Sequence, residues 1–191
     1  MGKTRLEAFS DGVIAVIITI IVLEFKLPRD GDLSALRELV PTFLSYVLSF
    51  VYVAIYWNNH HHMLHTVSRV NGAMLWANMH LLFWLSLVPF ATAWMAEHSF
   101  ASGPTLVYGV ILLMAAVAFT LLQATVIRLH GRESTLAVAV GRDRKGKISV
   151  ACYALAIGVA PWNPGISMAL YTLVACIWFV PDRRIERVIR E

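Results

Sequence analysis

With 191 residues, 58% of them hydrophobic and only 15% charged, and a mean hydropathy of +0.66, the chain carries too little charge to cover a soluble domain of its size. Its two cysteines, Cys152 and Cys176, lie in apolar blocks and form neither a CxxC pair nor a secreted disulfide pattern, so they assign no redox compartment. The formal net charge of +4 matters less than where the cations fall along the chain, and nothing in the pattern asks for nucleic acid, cofactor or metal.

The apolar residues come in six blocks, and a bilayer demands about 20 apolar residues per helical span. The first block covers residues 5–25 and ends at Leu27-Pro28, before a polar turn, RDGD, at 29–32. No A-x-A cleavage site interrupts it, so it reads as a full span and not as a signal peptide. The second covers 36–57, with Pro41 in its first turns, and a polar hinge is expected over 58–72. The third covers 73–95, with Pro89 as an expected kink. A short turn at 97–104 leads to the fourth, 105–127, followed by the longest polar stretch, 128–147. The fifth, 148–162, stops at Pro161 to Gly165, and the sixth, 166–180, is closed by Pro181. The expected architecture is an all-α membrane protein of six transmembrane helices in one domain over 1–191, without internal repeat.

The cations fix the expected orientation. Lys3 and Arg5 precede the first block, and Arg69 follows the second. Arg128, Arg132, Arg142, Arg144, Lys145 and Lys147 separate the fourth from the fifth, and Arg183, Arg184, Arg187 and Arg190 form the tail. Lys26, Arg29 and Arg37 remain for the opposite side. A cytoplasmic excess of Lys and Arg then places both termini in the cytoplasm, which requires an even number of spans.

The first block holds the most informative residues. Asp11 sits about two turns inside the helix, beside Ser10, and an ionisable group at that depth faces protein or water rather than lipid. Spacing alone leaves open an acid that merely lies at the interface. Arg5, Phe9, Ser10 and Asp11 spell RxxxFSD ahead of an apolar helix. This signature, followed by five further spans, resembles the transmembrane-protein-175 family of potassium channels of bacteria, endosomes and lysosomes.

The resemblance covers the whole chain and carries several expectations. A single signature copy implies a bacterial-type homotetramer, where animal members carry two six-helix repeats and work as dimers. It implies a potassium-permeable channel of the bacterial plasma membrane, surrounded by membrane lipids. The pore would be lined by the first helix, with a hydrophobic constriction as gate and filter and a modest preference for potassium over sodium. Some members also pass protons. Carried onto this chain, the constriction falls on Val16, Ile20 and Leu23, with Thr19 beside them and Ile18 on the lipid side. Steps of four and three place the first three on one helical face, but residues 13–23 are so uniformly apolar that periodicity cannot separate a pore from a packed stripe. Arg5, Ser10 and Asp11 would be scaffolding, with Asn78 and His80 of the third block as their interhelical polar partners.

Other features read more plainly. TLVYG at 105–109 lacks the first glycine of a carbonyl filter and opens a helix. His61 and His65 of HHHMLH stand at i, i+4, a metal-like spacing short of the ligands a metal usually takes, and a polar helix end explains them more simply. The basic run at 142–147 sets topology and could meet anionic headgroups. The alternative function is a secondary transporter, which calls for internal repeats or broken helices; Pro89 is the only break. A membrane enzyme comes third, since no nucleophile–base pair or ligand set appears.

Overall fold

The computed structural model describes residues 2–28, 31–131, 133–141 and 143–179. Arg29, Arg132, Arg142, Pro181 and the tail cations Arg183, Arg184, Arg187 and Arg190 lie outside the described residues. The regular structure described is helical: α1 Lys3–Leu23, a 3-10 segment Leu33–Leu39, α2 Val40–His65, α3 Gly72–Ser86, α4 Val88–Glu97, α5 Ser102–His130, α6 Thr135–Val140, α7 Arg144–Val159 and α8 Pro164–Phe179.

Among the described residues, four segments are long and apolar enough to cross a bilayer: Lys3–Leu23, Leu33–His65, Gly72–Glu97 and Ser102–His130. The chain is a multi-pass membrane protein. Helix α7 has 16 residues, and α8 is followed over 16 residues to Phe179, the last described residue. At 1.5 Å per residue α7 reaches about 24 Å, a little less than the roughly 30 Å hydrocarbon core.

Several expected boundaries move: α2 proper starts at Val40, α5 runs on to His130, and the expected polar stretch 128–147 holds α6 and the start of α7. Two further shifts have plain physical reasons. The hinge expected from residue 58 begins at Thr66, because α2 continues through the Asn and His run to His65. His60, Met63 and Leu64 on that stretch are buried, so its polar residues turn partly into the protein instead of ending the helix. The third block is two helices. Pro89 sits in the first turn of α4 and offers no N–H to the preceding turn, so the ladder breaks at Leu87. The amide of Leu87 still reaches Trp84 C=O at 3.3 Å, and Ala91 N–H reaches Leu87 C=O at 3.2 Å, so backbone hydrogen bonds keep the two helices joined.

Helix α5 is the spine, packing against α3, α4, α7 and α8, while α1 lies against α2, α3 and α4. Lipid tails are as apolar as leucine, so close packing and interhelical hydrogen bonds must hold such a bundle together. The core composition agrees: Ala91, Ala115, Ala118, Ala156 and Ala160 are fully buried among larger side chains. Gly109 shows why a small residue is needed, since a Cβ there would overlap the Tyr171 hydroxyl. That hydroxyl donates to Thr105 C=O at 3.1 Å, and Tyr52 donates to Tyr171 C=O at 2.6 Å. Thr105, Tyr108 and Gly109 of the TLVYG segment are thus buried packing residues of α5. Between α7 and α8, Asn163 Oδ1 accepts from Ile166 N–H at 3.2 Å, and Pro164 opens α8, where a missing N–H costs nothing.

Candidate functional site

Helix α1 divides into two faces. Leu6, Ser10, Ile14, Ile17 and Ile21, in steps of four and three, are buried against the rest of the chain. The opposite face is left uncovered: Val16 is 54% exposed, Ile20 39% and Leu23 78%. Phe9, Gly12, Ala15 and Thr19 are also exposed on this side. The Thr19 hydroxyl donates back to Val16 C=O at 2.8 Å, which leaves its oxygen lone pairs as the outward-facing group. Ile18, expected on the lipid side, is instead half-buried and packs against the core.

The buried face is pinned by a directional chain of hydrogen bonds. Ser10 Oγ donates to Leu6 C=O at 2.8 Å and so is available to accept from Asn78 Nδ2, which lies 2.9 Å away. Asn78 Oδ1 is 2.7 Å from His60 Nε2, so with the amide oriented this way His60 carries its proton on Nε2. Ser10 and Asn78 are fully buried and His60 is 1% exposed, which makes each of these bonds one that water cannot replace. The chain ties α1 to α3 and α3 to α2.

Sequence reasoning named Asn78 and His80 together as partners for Ser10 and Asp11, and the structure separates them. His80 Nε2 accepts from Trp84 Nε1 at 3.0 Å, within its own helix, and takes no part in the anchor. Two positions apart on a helix is about 200° around the axis, so with Asn78 facing α1, His80 must face away. The missing partner was His60. Asp11 is half-buried and accepts from Trp57 Nε1 at 2.9 Å, a second donor the sequence did not single out. Arg5 and Phe9 are exposed on the surface of α1.

The α1–α2 contact continues in regular steps toward the start of the chain. Asp11 meets Trp57, and Lys3 Nζ reaches the C=O of His65 at 3.3 Å. Between them lie Glu7, 3.8 Å from Lys3 Nζ, and His61, stacked on Trp57 at a centroid distance of 5.8 Å. Two antiparallel helices matched every four residues give this ladder. The opposite end of α1 is tied less firmly: Lys26 pairs with Glu97, a solvated contact that holds the Lys26 ammonium above its usual pKa.

Comparison with known proteins identifies the family. Residues 5–89 match the model of the family described as endosomal/lysosomal potassium channel TMEM175. The chain is 50% identical, over 191 residues and the full length of both proteins, to a potassium channel of Chryseobacterium sp. (strain P1-3). It is 30% identical over 149 residues to the endosomal/lysosomal proton channel TMEM175 of Gallus gallus, covering 70% of this chain and 30% of that one. The crystal structure of a lysosomal potassium-selective channel TMEM175 homolog from Chamaesiphon minutus superposes with a TM-score of 0.82 and 29% identity, covering 94% of this chain and 97% of that chain. With its signature at Arg5 to Asp11, its helical bundle and a full-length relative at half identity, the chain belongs to the TMEM175 family.

Proposed function

We propose that the chain is a potassium-permeable cation channel, assembled as a homotetramer with its pore lined by α1 of each subunit. The observation that carries this reading is the stripe Val16, Ile20 and Leu23, which the protomer leaves uncovered on a helix whose other face is locked by buried polar bonds. It occurs in a chain half identical, end to end, to a potassium channel.

Four copies of that stripe around an axis form a dry constriction, where water is unstable and a cation meets a high barrier. Dilating the helices rewets it, so one apolar zone serves as gate and filter. Thr19 supplies the only oxygen ring beside it, and four hydroxyl oxygens give a modest preference for potassium over sodium. Protons pass as well when the zone is wet. Arg5, Ser10 and Asp11 act as scaffold. The α3–α4 rod counts as one span and the α7–α8 hairpin completes six. The cation bias of the sequence then places both termini in the cytoplasm of a bacterium, with the protein in its plasma membrane.

Purified protein in a planar bilayer should show discrete unitary currents that reverse close to the potassium equilibrium potential in a KCl gradient, and native mass spectrometry should show four chains. Potassium flux without unitary events would mark a transporter, and monomers or dimers alone would exclude the shared pore.

A further inference from the structure

Six of the seven histidines fall into two groups by what their rings do. His60 bonds to Asn78, His80 to Trp84, His98 to Trp94 C=O, and His130 to Val126 C=O. His61 and His65 make only ring contacts among the described residues: their rings meet edge to face with centroids 5.0 Å apart, and His61 also touches Trp57 and His62. The two share one face of α2 at i, i+4, half-buried at His61 and exposed at His65. Their ring nitrogens are therefore uncommitted to protein partners.

We propose that His61 and His65 form a chelating site for a divalent transition metal ion at the signature end of α1. Two metal–nitrogen bonds of about 2.0–2.1 Å place the two nitrogens about 3 Å apart, which rings at this centroid spacing reach by turning about their terminal side-chain torsion. Among the described residues no third metal-binding side chain converges on the pair, so water fills the other positions. The facing charges on α1 favour a cation: the Glu7 and Asp11 carboxylates oppose one ammonium, Lys3. Imidazole donors select borderline metals, with Cu2+ bound more tightly than Ni2+ and Ni2+ more tightly than Co2+. The site follows from the geometry of one protomer and does not depend on where the pore lies.

The structure supplies its own reporter, since Trp57 stacks on His61. In detergent-solubilised chain free of any affinity tag, CuCl2 should quench part of the tryptophan emission with one equivalent per chain, and chelation should reverse it. His61→Gln and His65→Ala should each weaken that saturable phase by about tenfold or more, because the second imidazole acts at a high effective concentration. His62→Ala should leave it in place, and acidification should release the ion because only the unprotonated ring binds. Quenching that persists in both His61→Gln and His65→Ala, or that disappears in His62→Ala, would overturn the proposal. His65 is exposed, so its variant tests the site even if a change at His61 disturbs the fold.

Discussion

Asn78→Ala should destabilise the chain far more than His80→Ala, although both residues are polar, close in sequence and on one transmembrane helix. Asn78 makes two buried hydrogen bonds, at 2.7 and 2.9 Å. Losing it does not orphan Ser10, which keeps its bond to Leu6 C=O. It does strand the His60 Nε2–H in a site that is 1% exposed. Side-chain hydrogen bonds within membranes average about 0.6 kcal/mol, which puts a floor of about 1 kcal/mol under the pair. A buried donor with no partner costs about 1–3 kcal/mol, which sets the ceiling. For a chain of this size, at about 2–4 °C per kcal/mol, that is a drop of about 2–12 °C in the thermal midpoint. His80 only accepts from Trp84, and both are half-buried, so its loss should stay within about 0.5 kcal/mol. Intrinsic-fluorescence melts of the three proteins in one detergent decide the matter. Equal midpoints for the two variants, or a larger drop for His80→Ala, would refute the anchor as described.

The gate makes a second contrast. Ala at Ile20 or Leu23 should raise unitary conductance, and Ile20→Ser should raise open occupancy by wetting the constriction. Ile21→Ala, on the face that is 1% exposed, should instead cost about 2–5 kcal/mol of stability with the single-channel amplitude unchanged. Recordings in which Ile21 variants change the amplitude and Ile20 and Leu23 variants do not would show that α1 faces the other way. Gly109→Ala should overpack the α5–α8 contact against the Tyr171 hydroxyl and cost about 1–3 kcal/mol in the same melts, partly restored by Tyr171→Phe.

The broad architecture was legible because the bilayer imposes it on composition: a span must be apolar for about 20 residues whatever it packs against. The signature Arg5 to Asp11 was legible through its resemblance to a known family, since spacing alone left Asp11 open as an ordinary acid at the interface. What failed to show was orientation about helix axes. Along α1 nearly every residue from 13 to 23 is apolar, so the sequence has no phase, and only packing reveals that Ile18 turns inward while Thr19 and Ile20 stay open. The end of α2 failed for the opposite reason. Asn58 to His65 look like a solvated hinge if polar side chains are assumed to seek water, yet His60 is buried because Asn78 meets it from another helix. A polar residue in a membrane bundle is placed by its partner, and the partner lies on a different segment. Helix geometry could still have narrowed the choice. If Asn78 faces α1, His80 cannot; a partner for Asn78 should then be sought on α2, which carries Asn58, Asn59 and His60 to His62 at the same end of the bundle. Which of those faces inward depends on the axial rotation of α2, set by Tyr52, Val53, Met63 and Leu64 in the core. The anchor is therefore a consequence of apolar packing: the hydrophobic side chains rotate the helices into place, and the hydrogen bonds then make that rotation costly to change.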